Sequence, residues 1–272
     1  MRTRLALLAA IVAASTGAGS PAAAVPHRPA QVVAVHGAAD GSISISRHTV
    51  RAGRIVFRLD SAMPPGLSSG ITLVRPAGDA TLDDLLADAR RMMSDDAATR
   101  ARGARDAARD GTFHGLADIL AVTPVAVTQT LRAGTYYLID LGVLRTGTPP
   151  VTVLRVRGTA TGHDDAPRFS TVFMARGDRF IAPPFLPANG TITVVNASPA
   201  PHFMNMWPVR PGTTDAEIQA WIDAGAPGEG PLVDGPAIGL NTISPGRRAD
   251  LTYRLPPGPY VLFCELPDDR TG

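Results

Sequence analysis

The chain contains no lysine: all 26 basic residues are arginine, set against 24 Asp plus Glu in 272 residues. In a sequence so rich in Ala, Gly and Pro, this bias reflects codon usage more than ligand choice. Two of the arginines, Arg2 and Arg4, fall in a segment expected to be removed, which leaves 24 Arg against 24 acidic residues and a mature chain near neutrality. With no basic run interleaved with aromatics, the sequence excludes an electrostatic polyanion binder, nucleic acid included. Cysteine is almost as scarce. Cys264 is alone, so no internal disulfide can form, stability has to come from apolar cores, and the thiol has to be buried, metal-bound or paired with another chain. No apolar run reaches the roughly 20 residues that cross a bilayer, so no transmembrane segment is expected. Also missing are a Gly-x-Ser-x-Gly elbow, a His-Glu-x-x-His helix, a phosphate loop and any His-x-His pair, and with them the hydrolases, zincins and nucleotide enzymes that depend on such motifs. The chain is read as a non-enzyme.

Hydrophobic residues make up 44% of the sequence and charged residues 18%, a composition that can build cores and does not belong to a disordered chain. At the N-terminus Arg2 and Arg4 precede the short apolar run Leu5 to Ala14 and the small residues Ala22-Ala23-Ala24. This is the pattern of a signal peptide over 1–24, cleaved after Ala24, and it predicts a secreted, extracellular protein.

The mature chain carries an internal repeat, one unit over 30–158 and another over 165–272, joined by a Gly/Thr/Asp/Pro-rich linker. Strand-like Gly53-Arg-Ile-Val-Phe-Arg-Leu-Asp60 is matched by Gly190-Thr-Ile-Thr-Val-Val-Asn196, and Val74-Arg-Pro76 by Val209-Arg-Pro211. Each tripeptide precedes a capped amphipathic helix, begun by Thr81 with Asp84 and by Thr214 with Glu217, and in the first unit more helix is expected over 94–110. Each unit closes with an alternating strand and the pattern Leu-x-x-Gly-x-Tyr, at Leu131 to Tyr136 and Leu255 to Tyr260. That pattern is the mark of a tyrosine corner, in which the hydroxyl bonds back to nearby backbone in a Greek-key sandwich. The expected fold is all-β: two tandem Greek-key β-sandwiches, each with a helical insertion.

The second unit resembles the cupredoxins, the blue-copper fold. The resemblance rests on Asn196-Ala-Ser-Pro-Ala-Pro-His202 and on Gly258-Pro-Tyr260-Val-Leu-Phe-Cys264. It implies that His202 and Cys264 are imidazole and thiolate ligands of a copper ion, with a further His and an axial Met to follow the cysteine. Neither stands between Cys264 and Gly272: either the chain given is C-terminally truncated, or this copy has lost its site. His202, Met204 and Met206 alternate, so in an extended segment they point the same way, and His with Met suits Cu(I). The competing reading has both methionines filling gaps in the core. In the first unit Asp140 lies opposite Cys264 and the Gly66-Leu67 region opposite His202, which makes it a metal-free copy. The remaining histidines, His27, His36, His48, His114 and His163, are expected to be solvated.

The resemblance implies copper binding or electron transfer, with a redox or extracellular protein as partner. The alternative is a non-metal extracellular binding or structural β-sandwich. Multicopper oxidases and copper nitrite reductases share such a two-unit plan, but the lack of His-x-His pairs argues against their chemistry here.

Overall fold

A computed structural model describes residues 30–62, 69–119, 125–145, 147–160, 170–175, 179–224, 228, 230–264 and 266. The segment expected to be a signal peptide, most of the expected linker and Gly66-Leu67 lie outside the described residues. The first half contributes strands β1 (Gln31–Gly37), β2 (Ile43–Ile45), β3 (Thr49–Arg51), β4 (Gly53–Ser61), β5 (Ser69–Pro76), β6 (Gly111–Phe113), β7 (Ala117–Ile119), β8 (Val125–Leu131), β9 (Gly134–Asp140) and β10 (Val151–Arg157). The second contributes β11 (Ser170–Ala175), β12 (Arg179–Ile181), β13 (Asn189–Asn196), β14 (His202–Pro208), β15 (Ile238–Ile243), β16 (Arg248–Arg254) and β17 (Tyr260–Phe263). Helices α1 (Leu82–Met92) and α2 (Ala97–Asp110) follow β5, and α3 (Asp215–Asp223) follows β14.

The expected all-β sandwich with helical insertions is what forms. Alternation decides the inward faces: β8 buries Val125, Val127, Gln129 and Leu131, and β16 buries Ala249, Leu251 and Tyr253. Both tyrosine corners are made, with Tyr136 Oη donating to the Arg132 carbonyl at 2.9 Å and Tyr260 Oη to the Pro256 carbonyl at 3.1 Å. Both helix caps form as the sequence predicts, since Thr81 and Thr214 each close a capping box.

The two halves share their sheets. One sheet runs β12-β11-β13-β16-β8-β4-β1-β2 and the other β17-β14-β15-β7-β5-β9-β10-β3, with β6 beside β5. The seams are β8 against β16, where Val127 faces Leu251, and β7 against β15, where Asp118 faces Gly239; both are antiparallel. Val127 and Leu251 stand at the same sequence distance before their corner tyrosines, so the strands that meet are counterparts, related by a local twofold. Arg54 of β4 donates to Asp250 of β16 at 3.1 Å, and Phe113 and Ser244 exchange hydrogen bonds across the same boundary. A single apolar cluster, from Val33 to Leu255, extends through both halves.

Helices α1 and α2 have a plain structural role. Leu85, Leu86, Ala89 and Ala107 close over Val74 of β5 and Ile139 of β9, covering the outer face of the sheet there. That is why β5 is buried without a break from Ser69 to Val74 instead of alternating. The helices are tied to one another by Arg91 with Asp106 at 3.1 Å, flanked by the pairs Arg91 with Asp88 inside α1 and Arg109 with Asp106 at 2.8 Å inside α2.

Candidate metal centre

His202 opens β14, and Cys264 stands directly after β17, the strand paired with it. Their side chains meet at one end of the sandwich, with Cys264 Sγ 3.5 Å from His202 Nδ1. Both residues are partly buried. Two features hold them there. Phe263 packs edge-on against Trp207 with ring centroids 6.0 Å apart, locking β17 to β14. Before His202, the buried side chain of Asn196 orders the connecting loop: Nδ2 donates to the Ala200 and Ile243 carbonyls, both at 2.8 Å, and Oδ1 accepts from the Ser198 amide at 3.0 Å. Ile243 is also the residue on β15 that pairs with His202. The imidazole is therefore delivered by a loop whose polar groups are satisfied within the protein, as a site that must not move requires.

The spacing suits a shared metal ion. A thiolate held at about 2.3 Å and an imidazole nitrogen at about 2.0 Å in a tetrahedral array lie about 3.5 Å apart. The donor chemistry agrees, since thiolate with imidazole is the pair that a soft transition metal such as copper takes. His202 and Cys264 thus fit two coordination positions. Among the described residues no group of three or more His, Cys, Asp or Glu is gathered to complete a site from those types.

Both methionines lie inside the fold. The register shift between His202 and Met204 places the extra residue on β15, and β14 itself runs as one strand from His202 to Pro208. Met204 and Met206 belong to the buried apolar cluster between the sheets, so the gap-filling reading describes their surroundings.

The first half holds a polar version of the same corner. Asp140 lies four residues past Tyr136 as Cys264 lies four past Tyr260, and it reaches the first residue of the neighbouring strand. Its Oδ2 accepts from Ser69 Oγ at 2.8 Å, and its Oδ1 from the amides of Gly70 at 3.1 Å and Gly142 at 2.9 Å. Among the described residues, the side chain that meets Asp140 is Ser69. Repetition of the corner tyrosine could have located Asp140. Ser69 carried no comparable signal.

His114 corrects the expectation of solvated histidines. It is 4% exposed, lies edge-on to Tyr136 at 5.1 Å, and makes a β-bridge with Ile243 across the boundary between halves. Its Nε2 has no hydrogen-bond partner among the described residues. Burial, with the charges of Arg247 and Arg75 adding to it, pushes its pKa down to about 3. The neighbouring Phe113 and Leu116 were the sequence signal for a buried position. His36 and His48 are exposed as expected, and His27 and His163 lie outside the described residues.

No protein-family model matches the chain, and no curated protein matches it in sequence. Among solved structures it is similar to auracyanin B at 22% identity, over 49% of this chain and 94% of that one, with a TM-score of 0.26. It is similar to Lac15 from a marine microbial metagenome at 13% identity, over 87% of this chain and 62% of that one, TM-score 0.26. For the copper nitrite reductase from Nitrosomonas europaea the figures are 13% identity, 89% and 95% coverage, and TM-score 0.22. Overlaps this low place the chain in no family.

Proposed function

We propose that this is an exported, non-enzymatic protein of two fused cupredoxin-like units, whose second unit binds copper through His202 and Cys264 and passes electrons to a protein partner. The observation that carries this reading is the 3.5 Å approach of the thiol to the imidazole at the end of two paired strands. Copper, when bound, supplies a one-electron couple. The chain's contribution is rigidity: the Asn196 loop, the β14–β17 pairing and the Trp207–Phe263 contact fix both donors, so little has to rearrange when the oxidation state changes.

The test is to express residues 25–272, add Cu(II), and record the visible spectrum. An intense thiolate-to-copper band that is absent in Cys264→Ser supports the reading. A cooperatively folded protein with no such band overturns it. The alternative, an extracellular binding or structural sandwich without metal, draws on the Asp140–Ser69 hydrogen bond, which ties the same corner of the first half with no metal-binding residue types beyond a carboxylate. On that reading the Cys264–His202 contact is a structural tie, and Cu(II) leaves the spectrum and the melting temperature unchanged.

A further inference from the structure

Helices α1 and α2 meet at close quarters. At Gly103 of α2 an added Cβ would lie 2.6 Å from the Met92 amide nitrogen and 2.8 Å from the Arg91 carbonyl carbon of α1, so the two backbones touch there. The same helices share a charged network in which the donors can be counted out. Arg109 donates to both oxygens of Asp110, at 2.6 and 2.7 Å, and to Oδ1 of Asp106 at 2.8 Å. Arg91 donates to Oδ2 of Asp106 at 3.1 Å and to Oδ1 of Asp88. Five of the six carboxylate oxygens are thereby matched. The sixth, Asp88 Oδ2, is buried without a hydrogen-bond donor among the described residues, on a residue only 2% exposed.

Across from that oxygen is the carboxyl group of Asp110, close enough to hydrogen-bond with Asp88. Two facing carboxyl groups form a hydrogen bond only when one of them carries a proton. The guanidinium of Arg109 holds Asp110 below the ordinary carboxylate range, whereas burial, opposed by Arg91 and reinforced by Asp110 and Asp106, pushes Asp88 up to about 6. The charge balance agrees: three carboxylates against the two guanidiniums bound to them leave one negative charge, which one proton on Asp88 cancels. The elements packed against the hairpin bring apolar side chains, Val74 from β5, Phe113 from β6, Ile139 from β9 and Leu144 from the turn after β9. The charged groups that act on Asp88 are Arg91 on its own helix and Asp106 and Asp110 on α2.

We propose that a single proton shared between Asp88 and Asp110 latches α2 to α1. With the proton in place, Asp88 donates from Oδ2 to the Asp110 carboxylate, every carboxylate oxygen of the network has a partner, and the hairpin is closed over Val74 and Ile139. When the proton passes to water, two carboxylates face each other in a dry contact, and the hairpin opens more readily. The closed hairpin keeps its proton up to about pH 6, while an exposed aspartate loses it near 3.8. Between those values opening releases a proton, so its equilibrium constant rises about tenfold per pH unit, on the order of 100-fold in all. The latch does not rest on metal binding, and it works in the sense opposite to the protonation of His114.

The test uses the full chain. The Asp88 carboxyl carbon, followed by NMR from pH 3.5 to 8 and assigned through its backbone correlations, is expected to titrate near pH 6. Amide protection in Leu85 to Ala89 and Ala104 to Ala107, corrected for intrinsic exchange, is expected to fall on the order of 100-fold between pH 4 and 7 relative to Asp88→Asn. That variant keeps a donor towards Asp110 at every pH, and His114 titrates alike in both proteins, so their difference reports the latch. In Asp110→Asn the Asp88 midpoint is expected to move down towards 3.8. An Asp88 carboxyl that titrates near 3.8 in the wild type overturns the proposal; it is the result expected if Arg91 Nε, itself buried without a partner among the described residues, turns to take Oδ2. Protection that changes with pH in parallel in the wild type and Asp88→Asn overturns it too. The wild-type titration decides the matter even where a variant fails to fold.

Discussion

Asp140 accepts a hydrogen bond from Ser69 at 2.8 Å in the corner of the first half that corresponds to the meeting of Cys264 with His202 in the second. One corner is thereby tied by a carboxylate, which the protein satisfies with its own donors, and the other by a thiol set against an imidazole. This difference predicts opposite outcomes for mutation. Asp140→Ala leaves the Ser69 hydroxyl and the Gly70 amide without their acceptor in a buried place. The loss is expected to be about 2–4 kcal/mol, read as a lower urea midpoint with an unchanged slope.

Cys264→Ser, by contrast, removes a contact at a partly exposed position, and its cost to the metal-free protein is expected to stay below about 1 kcal/mol. With Cu(II) the same substitution, and His202→Ala, are expected to abolish the visible thiolate band and any copper-dependent rise in melting temperature. Spectra and melting curves of the three proteins, with and without Cu(II), check this.

The buried imidazole of His114 makes stability depend on pH. Its pKa falls from the usual 6.5 to about 3 in the folded protein, so between those values the unfolded chain holds a proton that the folded chain does not. Stability is therefore complete above pH 6.5 and falls as the pH drops below it, by up to about 1.4 kcal/mol per pH unit. His114→Phe keeps an aromatic ring against Tyr136 and removes the titration. The stability difference between wild type and variant, measured by urea unfolding from pH 7.5 to 4.5, is expected to shift in favour of the variant as the pH falls.

The shared sheets predict that the halves do not unfold one at a time. Val127 and Leu251 are fully buried where β8 meets β16, and the core is continuous through them. A single calorimetric transition is expected, with calorimetric and van't Hoff enthalpies equal. Leu251→Ala is expected to cost about 3 kcal/mol and to lower that one transition, not to split it in two. A first half expressed alone exposes β8 and is expected to aggregate.

Much of this fold was legible because its signals are local. The alternation in β8 and β16, the capping boxes at Thr81 and Thr214 and the two tyrosine corners each act over a few residues. The pairing of His202 with Cys264 was legible only through family resemblance, since the residues are far apart in sequence and no spacing rule links them. What escaped the sequence depends on how elements pack. The exposed-looking His114 is buried by a β-bridge to Ile243 in the other half. The helical segment after β5 gains its purpose from Val74 and Ile139, which face it across a sheet. Fusion of the two halves into common sheets is a property of edges, and edges carry no periodic signal of their own.

The seam at Val127 and Leu251 has a consequence for the history of such a chain. The strands that meet there are each other's counterparts, running antiparallel about a local twofold, so each half offers the other a surface of the kind it presents itself. A chain of half the length bearing that surface is self-complementary along these strands, and two copies of it can close into an isologous dimer. Duplication followed by fusion then alters only the connection between the halves, after which each is free to diverge, one toward Asp140 with Ser69 and the other toward Cys264 with His202.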